Sequence, residues 1–370
     1  MRLIILKNNL KDGLSAVEKG VVENNALPIL KNVLIKTLDG KIKISATNLE
    51  IGINKLILGK IIEDGGITVP FNAFYGIINN IDSERINLET KQNTLNIKTD
   101  NYEAKIQGVS AEDFPIIPKI EDQTHFLETE AGILKNAFLN VMSAAQVSEI
   151  RPEISGVLFD FGITSLKLVA TDSFRLSEKT LPPHQFKNNF NKGFKVILPL
   201  KTAQEVVRIF TEEQPVKIFV DQSQILFSTE NLELISRLIS GEYPDYEQIV
   251  PKTSEAEILI NRDHFVRALK LVSNFSGKDN DVKIRVKDGK KAIEVYSVNQ
   301  YLGENSYLIP VKIKGNAAKE ISFNWRYLLD GLKIFSSEDL LFKLNGETKP
   351  AMIVSPSDAS SFYLLMPIKV

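Results

Sequence analysis

The chain has 370 residues, a formal net charge of −1, 43% hydrophobic and 25% charged residues, and no cysteine. That balance excludes disordered and fibrous classes, and the missing cysteine excludes disulfide staples, thiolate metal sites and a cysteine nucleophile while fitting a reducing cytoplasm. At this length a single core is too little and three domains of common size are about right.

The first residues, MRLIILKNNL, read as a strand, because the apolar run is too short for a signal peptide or a membrane span. Leu10, Leu14, Val17 and Val21 recur at helical spacing, so residues 8–23 are expected to form a helix with one apolar stripe. Strands are expected at about 31–38, 41–47 and 50–60. Val69-Pro70 then leads into a second helix with Phe74, Ile77, Ile78 and Ile81 on one face. Strands at about 85–90, 93–98 and 101–109 follow, and Phe114-Pro115-Ile116-Ile117-Pro118 closes the unit.

The same order then returns. A helix carries Leu134, Phe138, Val141 and Ala145, and Leu198-Pro199 precedes another with Ala203, Val206, Val207 and Phe210. Strands at about 215–220, 224–229 and 232–240 lead to Tyr243-Pro244-Asp245-Tyr246 and Ile249-Val250-Pro251. In the last third Phe265, Leu269 and Val272 mark a helix with Asn261 as its N-cap. Phe323-Asn324 precedes a final helix through Leu328, Leu332 and Phe335, and the chain ends in an alternating strand and a short tail.

One stretch organises this order. Residues 27–57 and 151–181 share an apolar run, a turn, an alternating strand and then Ala46-Thr47-Asn48 or Ala170-Thr171-Asp172. A looser copy at 282–307 carries Ser297-Val298-Asn299 at the same point. The offsets are 172 − 48 = 124 and 299 − 172 = 127, so the chain repeats three times. Polar connectors at 119–125 and 252–257 set the boundaries, giving domains 1–120, 121–251 and 252–370. Lys plus Arg against Asp plus Glu is 15 to 14, 12 to 18 and 18 to 14 in these thirds, or +1, −6 and +4.

Catalytic constellations are sparse. Gly277-Lys278 lacks the rest of a phosphate loop, and His125, His184 and His264 are isolated along the chain. Asp172 and Asp245 form a conceivable carboxylate pair for a hydrolase, but each lies at a repeated turn position, where a turn role is sufficient. Similar units can instead close on themselves. Two three-unit chains joined head to tail give a ring of six, which would hold DNA by topology with only a weakly basic lining. Lys11, Lys135, Lys201, Arg208, Arg267, Lys270, Arg326 and Lys333 on the expected helices are candidates for that lining. A monomeric three-domain peptide-binding scaffold is the alternative that the repeat alone leaves open.

Several motifs in order then resemble one family: Leu27-Pro28-Ile29-Leu30, Ala46-Thr47-Asn48-Leu49-Glu50, Asp113-Phe114-Pro115, Ala170-Thr171-Asp172 with Arg175-Leu176, Tyr243-Pro244-Asp245-Tyr246, Phe323-Asn324 with Tyr327-Leu328, and the terminal Met366-Pro367. Along its full length the sequence resembles the bacterial β sliding clamps, the processivity subunits of DNA polymerase III. The resemblance implies an α+β fold of three similar clamp domains, each with two helices and antiparallel sheets, closing as a head-to-tail homodimer into a six-domain ring on double-stranded DNA. It implies a cytoplasmic, non-enzymatic protein without a cofactor or metal, opened by an ATP-driven clamp loader.

It also implies a cleft between the second and third domains for short peptides of the DNA polymerase III catalytic subunit, with its 3′-5′ exonuclease and nucleotidyltransferase assembly, the clamp loader, other polymerases, ligase and mismatch-repair proteins. Carried over, the cleft comprises Ile154, Thr171, Ser173, Phe174, Arg175, Leu176, Pro244 and Ile249 from the second domain. The third supplies Asn324, Tyr327, Leu364, Met366, Pro367 and Ile368. Leu364, Met366 and Ile368 are expected on one face of a terminal strand, and methionine suits a pocket that admits different partners. Many members have Gly-His where Ser173-Phe174 stands, and often arginine near Glu247-Gln248. Ile106 and Phe275 are carried over to the dimer interface.

Overall fold

The computed structural model describes every residue except 211–213, 288, 290, 317 and 370. Its contacts divide the chain into two compact units. One comprises 1–132, 187–190 and 208–238, the other 133–186, 191–207 and 239–370.

The first unit holds α1 (Lys7–Val17) and α2 (Phe71–Asn80). The face of α1 formed by Leu10, Leu14 and Val17 is fully buried, as the helical spacing requires. The helix is shorter than the expected 8–23: a 3₁₀ turn, Glu18–Gly20, ends it. A Cβ on Gly20 would lie only 3.0 Å from the Ala46 backbone, so this turn sits tightly on the strand before Asn48. Ile81 falls just past α2, its N–H bonded to the Ile77 carbonyl.

A five-stranded antiparallel sheet in this unit runs Lys60–Glu63, Arg2–Leu6, Arg85–Lys91, Thr94–Lys98, Glu103–Gln107. Asp39-Gly40, both with positive φ, make the tight hairpin that joins Asn32–Leu38 to Lys41–Thr47. These two strands belong to a ten-stranded sheet whose centre is the pairing of Ile51–Ile57 with Leu232–Arg237. Strands from the first and second repeats are thus zipped into one sheet. The sequence pattern did not announce this, because alternation marks a strand but not its partner.

The second unit holds α3 (Ala131–Val141) from Ile133 onward, α4 (Leu200–Ile209) up to Val207, α5 (Arg262–Val272) and α6 (Trp325–Lys333). Asn261 caps α5 by accepting from the His264 N–H at 3.1 Å. Asn324 caps α6 by accepting from the N–H groups of Arg326 and Tyr327. The nine-stranded sheet here runs Phe194–Pro199, Gly156–Phe161, Leu166–Thr171, Arg175–Leu181, Ser361–Leu365, Ala351–Val354, Asp339–Leu344, Ala256–Asn261, Lys312–Gly315. Its central pair, Arg175–Leu181 with Ser361–Leu365, is the second place where one repeat continues into the next. A four-stranded sheet, Gly303–Pro310, Ala292–Asn299, Asp281–Val286, Glu320–Asn324, completes the unit.

Candidate functional site

The shared sheet of the second unit ends in a tight turn, and that turn shapes the site. Ser173 has φ 78°. Asp172 Oδ1 accepts from the N–H groups of Phe174 and Arg175, both at 3.0 Å, and Thr171 Oγ1 accepts from the Ser173 N–H at 3.2 Å while donating to the Arg175 carbonyl at 2.6 Å. Two short polar side chains thus satisfy the backbone of a strained corner. The corner throws Phe174 outward, leaving it 62% exposed.

Arg175 is fixed from three sides. Its Nε donates to Asp172 Oδ2 at 2.8 Å, its Nη1 donates to Asp330 Oδ2 at 2.7 Å, and its guanidinium lies 4.2 Å from the centre of the Tyr327 ring. Burial opposes the charge, yet Tyr363, Asp330 and Asp172 outweigh it and move the pKa upward. Arg175 therefore acts as a fixed wall joining the second repeat to α6. Gly331 brings α6 this close, since a Cβ there would meet the Tyr363 ring at 2.5 Å.

The floor is apolar. Leu176 and Leu364, opposite each other across the strand pair, belong to a buried cluster with Leu158, Val169, Ile197, Tyr246 and Met352. Tyr246 donates to Glu178 Oε2 at 2.7 Å, and burial together with that carboxylate pushes the phenol pKa up. Above the floor lies a small cavity of about 30 Å³, lined by Thr171, Ser173, Phe174, Arg175, Leu176, Ile249, Leu364 and Met366 together with Pro350 and Leu365. Phe174 and Ile249, both more than half exposed, form its apolar rim.

Six of the expected residues are not among those lining this cavity. Ile154 is buried, Pro244 is half-buried in the connector, Asn324 caps α6, Tyr327 lies under Arg175, Pro367 is buried, and Ile368 donates its N–H to the Ser322 carbonyl at 2.8 Å. The expectation that Leu364, Met366 and Ile368 share one face of a strand is corrected. The strand ends at Leu365, where Met366 donates to the Phe174 carbonyl at 2.8 Å, and Pro367 has no N–H with which to continue a ladder. Pro350, Leu365 and Asp330 were missed. Asp330 carries no local signal in the sequence, because it meets Arg175 only across the packing of α6.

Asp172 is spent on the turn and on Arg175, whereas Asp245 is exposed and accepts from Gln248 at 2.7 Å. No group of His, Asp or Glu among the described residues is placed to hold a metal. Of the basic candidates, Lys11, Lys201, Arg208, Arg267, Lys270, Arg326 and Lys333 are exposed and Lys135 is half-buried. Arg208 donates to the carbonyls of Ser15 and Ala16, Arg326 to Asn280, and Lys333 pairs with Asp330 at 3.7 Å. Ile106 is buried in its own sheet, and Phe275 is half-buried.

Repeats zipped by shared sheets and ending in an apolar cleft, with its polar groups already engaged, define a binding protein. Family models of the DNA polymerase III beta subunit match in series: its N-terminal domain over 1–118, its central domain over 128–245 and its C-terminal domain over 247–369. The chain belongs to this family, the sliding clamps, which are processivity factors and not catalysts.

The beta sliding clamp of Bacillus subtilis is 27% identical with all of both chains covered, and that of Staphylococcus epidermidis is 26% identical over 98% of this chain and 96% of the relative. The solved Bacillus subtilis clamp superposes with a TM-score of 0.93 at 26% identity, covering 100% of this chain and 99% of that one. A Pseudomonas aeruginosa clamp bound to griselimycin matches in fold with a TM-score of 0.94 at 23% identity, with both chains fully covered.

Proposed function

We propose that two copies of this chain close head to tail into a ring around double-stranded DNA, and that the cleft at Phe174 and Met366 holds short apolar peptides of the proteins carried along it. The sequence repeats 1–120, 121–251 and 252–370 serve as its domains. Tethering replaces repeated bimolecular encounters by a high effective concentration, which is what processivity requires. The observation that carries the peptide reading is the cleft itself: an apolar floor of Leu176 and Leu364, a rim of exposed Phe174 and Ile249, and a half-buried methionine. Apolar anchors contribute roughly 1.5 to 3 kcal/mol each. After the ordering cost, affinities on the order of micromolar allow partners to exchange.

Two open sheet edges support the ring. Glu103–Gln107 ends the five-stranded sheet and Gly303–Pro310 ends the four-stranded one, so each offers unpaired backbone groups. Phe275 lies about 4.0 Å from where a Gly303 Cβ would stand, and Leu302 and Leu308 are more than half exposed. The exposed lysines and arginines of the helices line the hole in this reading. The polymerase catalytic subunit, clamp loader, other polymerases, ligase and mismatch-repair proteins are the partners, in the cytoplasm. No helix among the described residues is long and apolar enough to cross a membrane.

Sedimentation equilibrium tests the ring: a mass of twice the chain is expected, lost on Leu308→Lys. A monomer for the unaltered chain across the micromolar range would favour the monomeric scaffold.

A further inference from the structure

The corner that shapes the cleft occurs twice. In the first unit Leu49 has φ 74°. Asn48 Oδ1 accepts from the N–H groups of Glu50 and Ile51, and Thr47 Oγ1 accepts from the Leu49 N–H and donates to the Ile51 carbonyl. The neighbouring strand repeats the register: Ser236 faces Ile51 as Leu365 faces Arg175, and Ile235 faces Gly52 as Leu364 faces Leu176. The Arg237 N–H then donates to the Glu50 carbonyl at 3.0 Å, as that of Met366 does to Phe174. The connectors match as well, with Ile116-Ile117-Pro118 standing where Ile249-Val250-Pro251 stands.

These elements enclose a cavity of about 120 Å³, four times the size of the other. Gly52 in place of Leu176 helps to shape it, because a Cβ there would meet Ile117 at 2.5 Å. Ile116 is 93% exposed and Leu49 is 42% exposed on its walls. The polar equipment differs. Apolar Ile51 replaces the fixed Arg175, and Arg237 replaces Met366. Arg237 is exposed, and among the described residues its guanidinium has no hydrogen bond or ion pair; Glu50, the acid on the walls, does not engage it.

We propose that this corner is a second peptide-docking site, selective for an extended segment with an aliphatic anchor preceded by an acidic residue. The aliphatic side chain enters between Leu49, Ile116 and Ile235, and the carboxylate meets Arg237. The inference rests on the peptide reading of the first cleft only for the mode of binding. The charge preference is its own.

The test is methyl NMR of the full chain, labelled at isoleucine and methionine methyls and titrated with acetyl-Ala-Asp-Leu-Leu-amide. Shifts at Ile116 and Ile235 are expected. They should survive Phe174→Asp, disappear in Leu49→Asp/Arg237→Glu, and require roughly tenfold more peptide when its aspartate is replaced by asparagine. Both substituted side chains are exposed, and aspartate tolerates the positive φ of Leu49, so an otherwise unchanged spectrum shows that the variant folds.

Shifts confined to Ile249 and Met366 would overturn the inference and leave the first cleft standing. Shifts confined to Ile116 and Ile235 would uphold it and remove the peptide reading of the first cleft. No shift at either would overturn both. Shifts at Ile116 that grow with protein concentration and without peptide would assign the corner to a second copy of the chain and overturn it too.

Discussion

The corners at Thr47–Ile51 and Thr171–Arg175 share a backbone path and differ in what they bear. In the first, Asn48 holds only the turn. In the second, Asp172 holds the turn and also neutralises Arg175, which ties the corner to α6 through Asp330. A turn needs one acceptor oxygen, and either residue supplies it. In the second corner a charge links that turn to a helix of the next repeat. The repeat thus preserves geometry where the backbone demands it and lets side chains diverge where a site is made.

The largest expected effect breaks this comparison directly. Asp172→Ala leaves a largely buried guanidinium with Asp330 as its remaining acid and should destabilise the chain by about 3 kcal/mol. Asn48→Ala removes hydrogen bonds alone and should cost about 1 kcal/mol. Urea unfolding of the two variants compares them, and equal losses would contradict the roles assigned here.

Next come the glycines that let neighbouring elements close on each corner. Gly331→Ala drives a methyl into the Tyr363 ring, and Gly52→Ala drives one into Ile117. Overpacking of this kind costs about 1–3 kcal/mol. Gly331→Ala should also weaken peptide binding at Phe174 and Met366, because Tyr327 and Asp330, which fix Arg175, lie on the displaced helix. Titration by fluorescence anisotropy checks this.

Met366→Ala should lower peptide affinity at its own cleft roughly tenfold. The melting temperature should hardly move, because this side chain is only half-buried. A large fall in melting temperature would make Met366 a core residue instead.

The smallest effect concerns the strand that receives the tail at Ser322. Hydrogen bonds from Tyr296 and Arg285 hold the Glu320 carboxyl below its ordinary value. A depressed carboxylate stabilises the fold above the unfolded value near pH 4.3 and loses that contribution as pH falls through the lower folded value. Screening at this partly exposed site leaves a few tenths of a kcal/mol. Glu320→Gln should therefore flatten the acid limb of stability below about pH 5, which thermal melts across the acid range would reveal.

Much of this was legible in the sequence. The helical stripe of Leu10, Leu14 and Val17, the Asn261 cap and the recurrence of Ala-Thr-Asn and Ala-Thr-Asp all follow from local rules of spacing and turn chemistry. The pairing of Ile51–Ile57 with Leu232–Arg237 joins residues far apart in the chain, and alternation carries no record of partners. In the cleft, Thr171, Arg175 and Met366 came from motifs. Pro350 enters it, and Asp330 reaches Arg175, only through tertiary packing, from a strand end and a helix face that no local pattern connects to them. The break of the tail at Pro367 was readable from proline alone, yet the alternation of Leu364, Met366 and Ile368 obscured it.

The central claim is topological, and loading on DNA tests it most directly. The protein is loaded on nicked circular plasmid with a clamp loader and ATP, separated by gel filtration, and the plasmid is then cut once. Encirclement predicts retention on the circle and loss after cutting, with little dependence on salt before the cut. Equal retention on circular and linear DNA, falling steeply with salt, would mean surface contact and would contradict the ring.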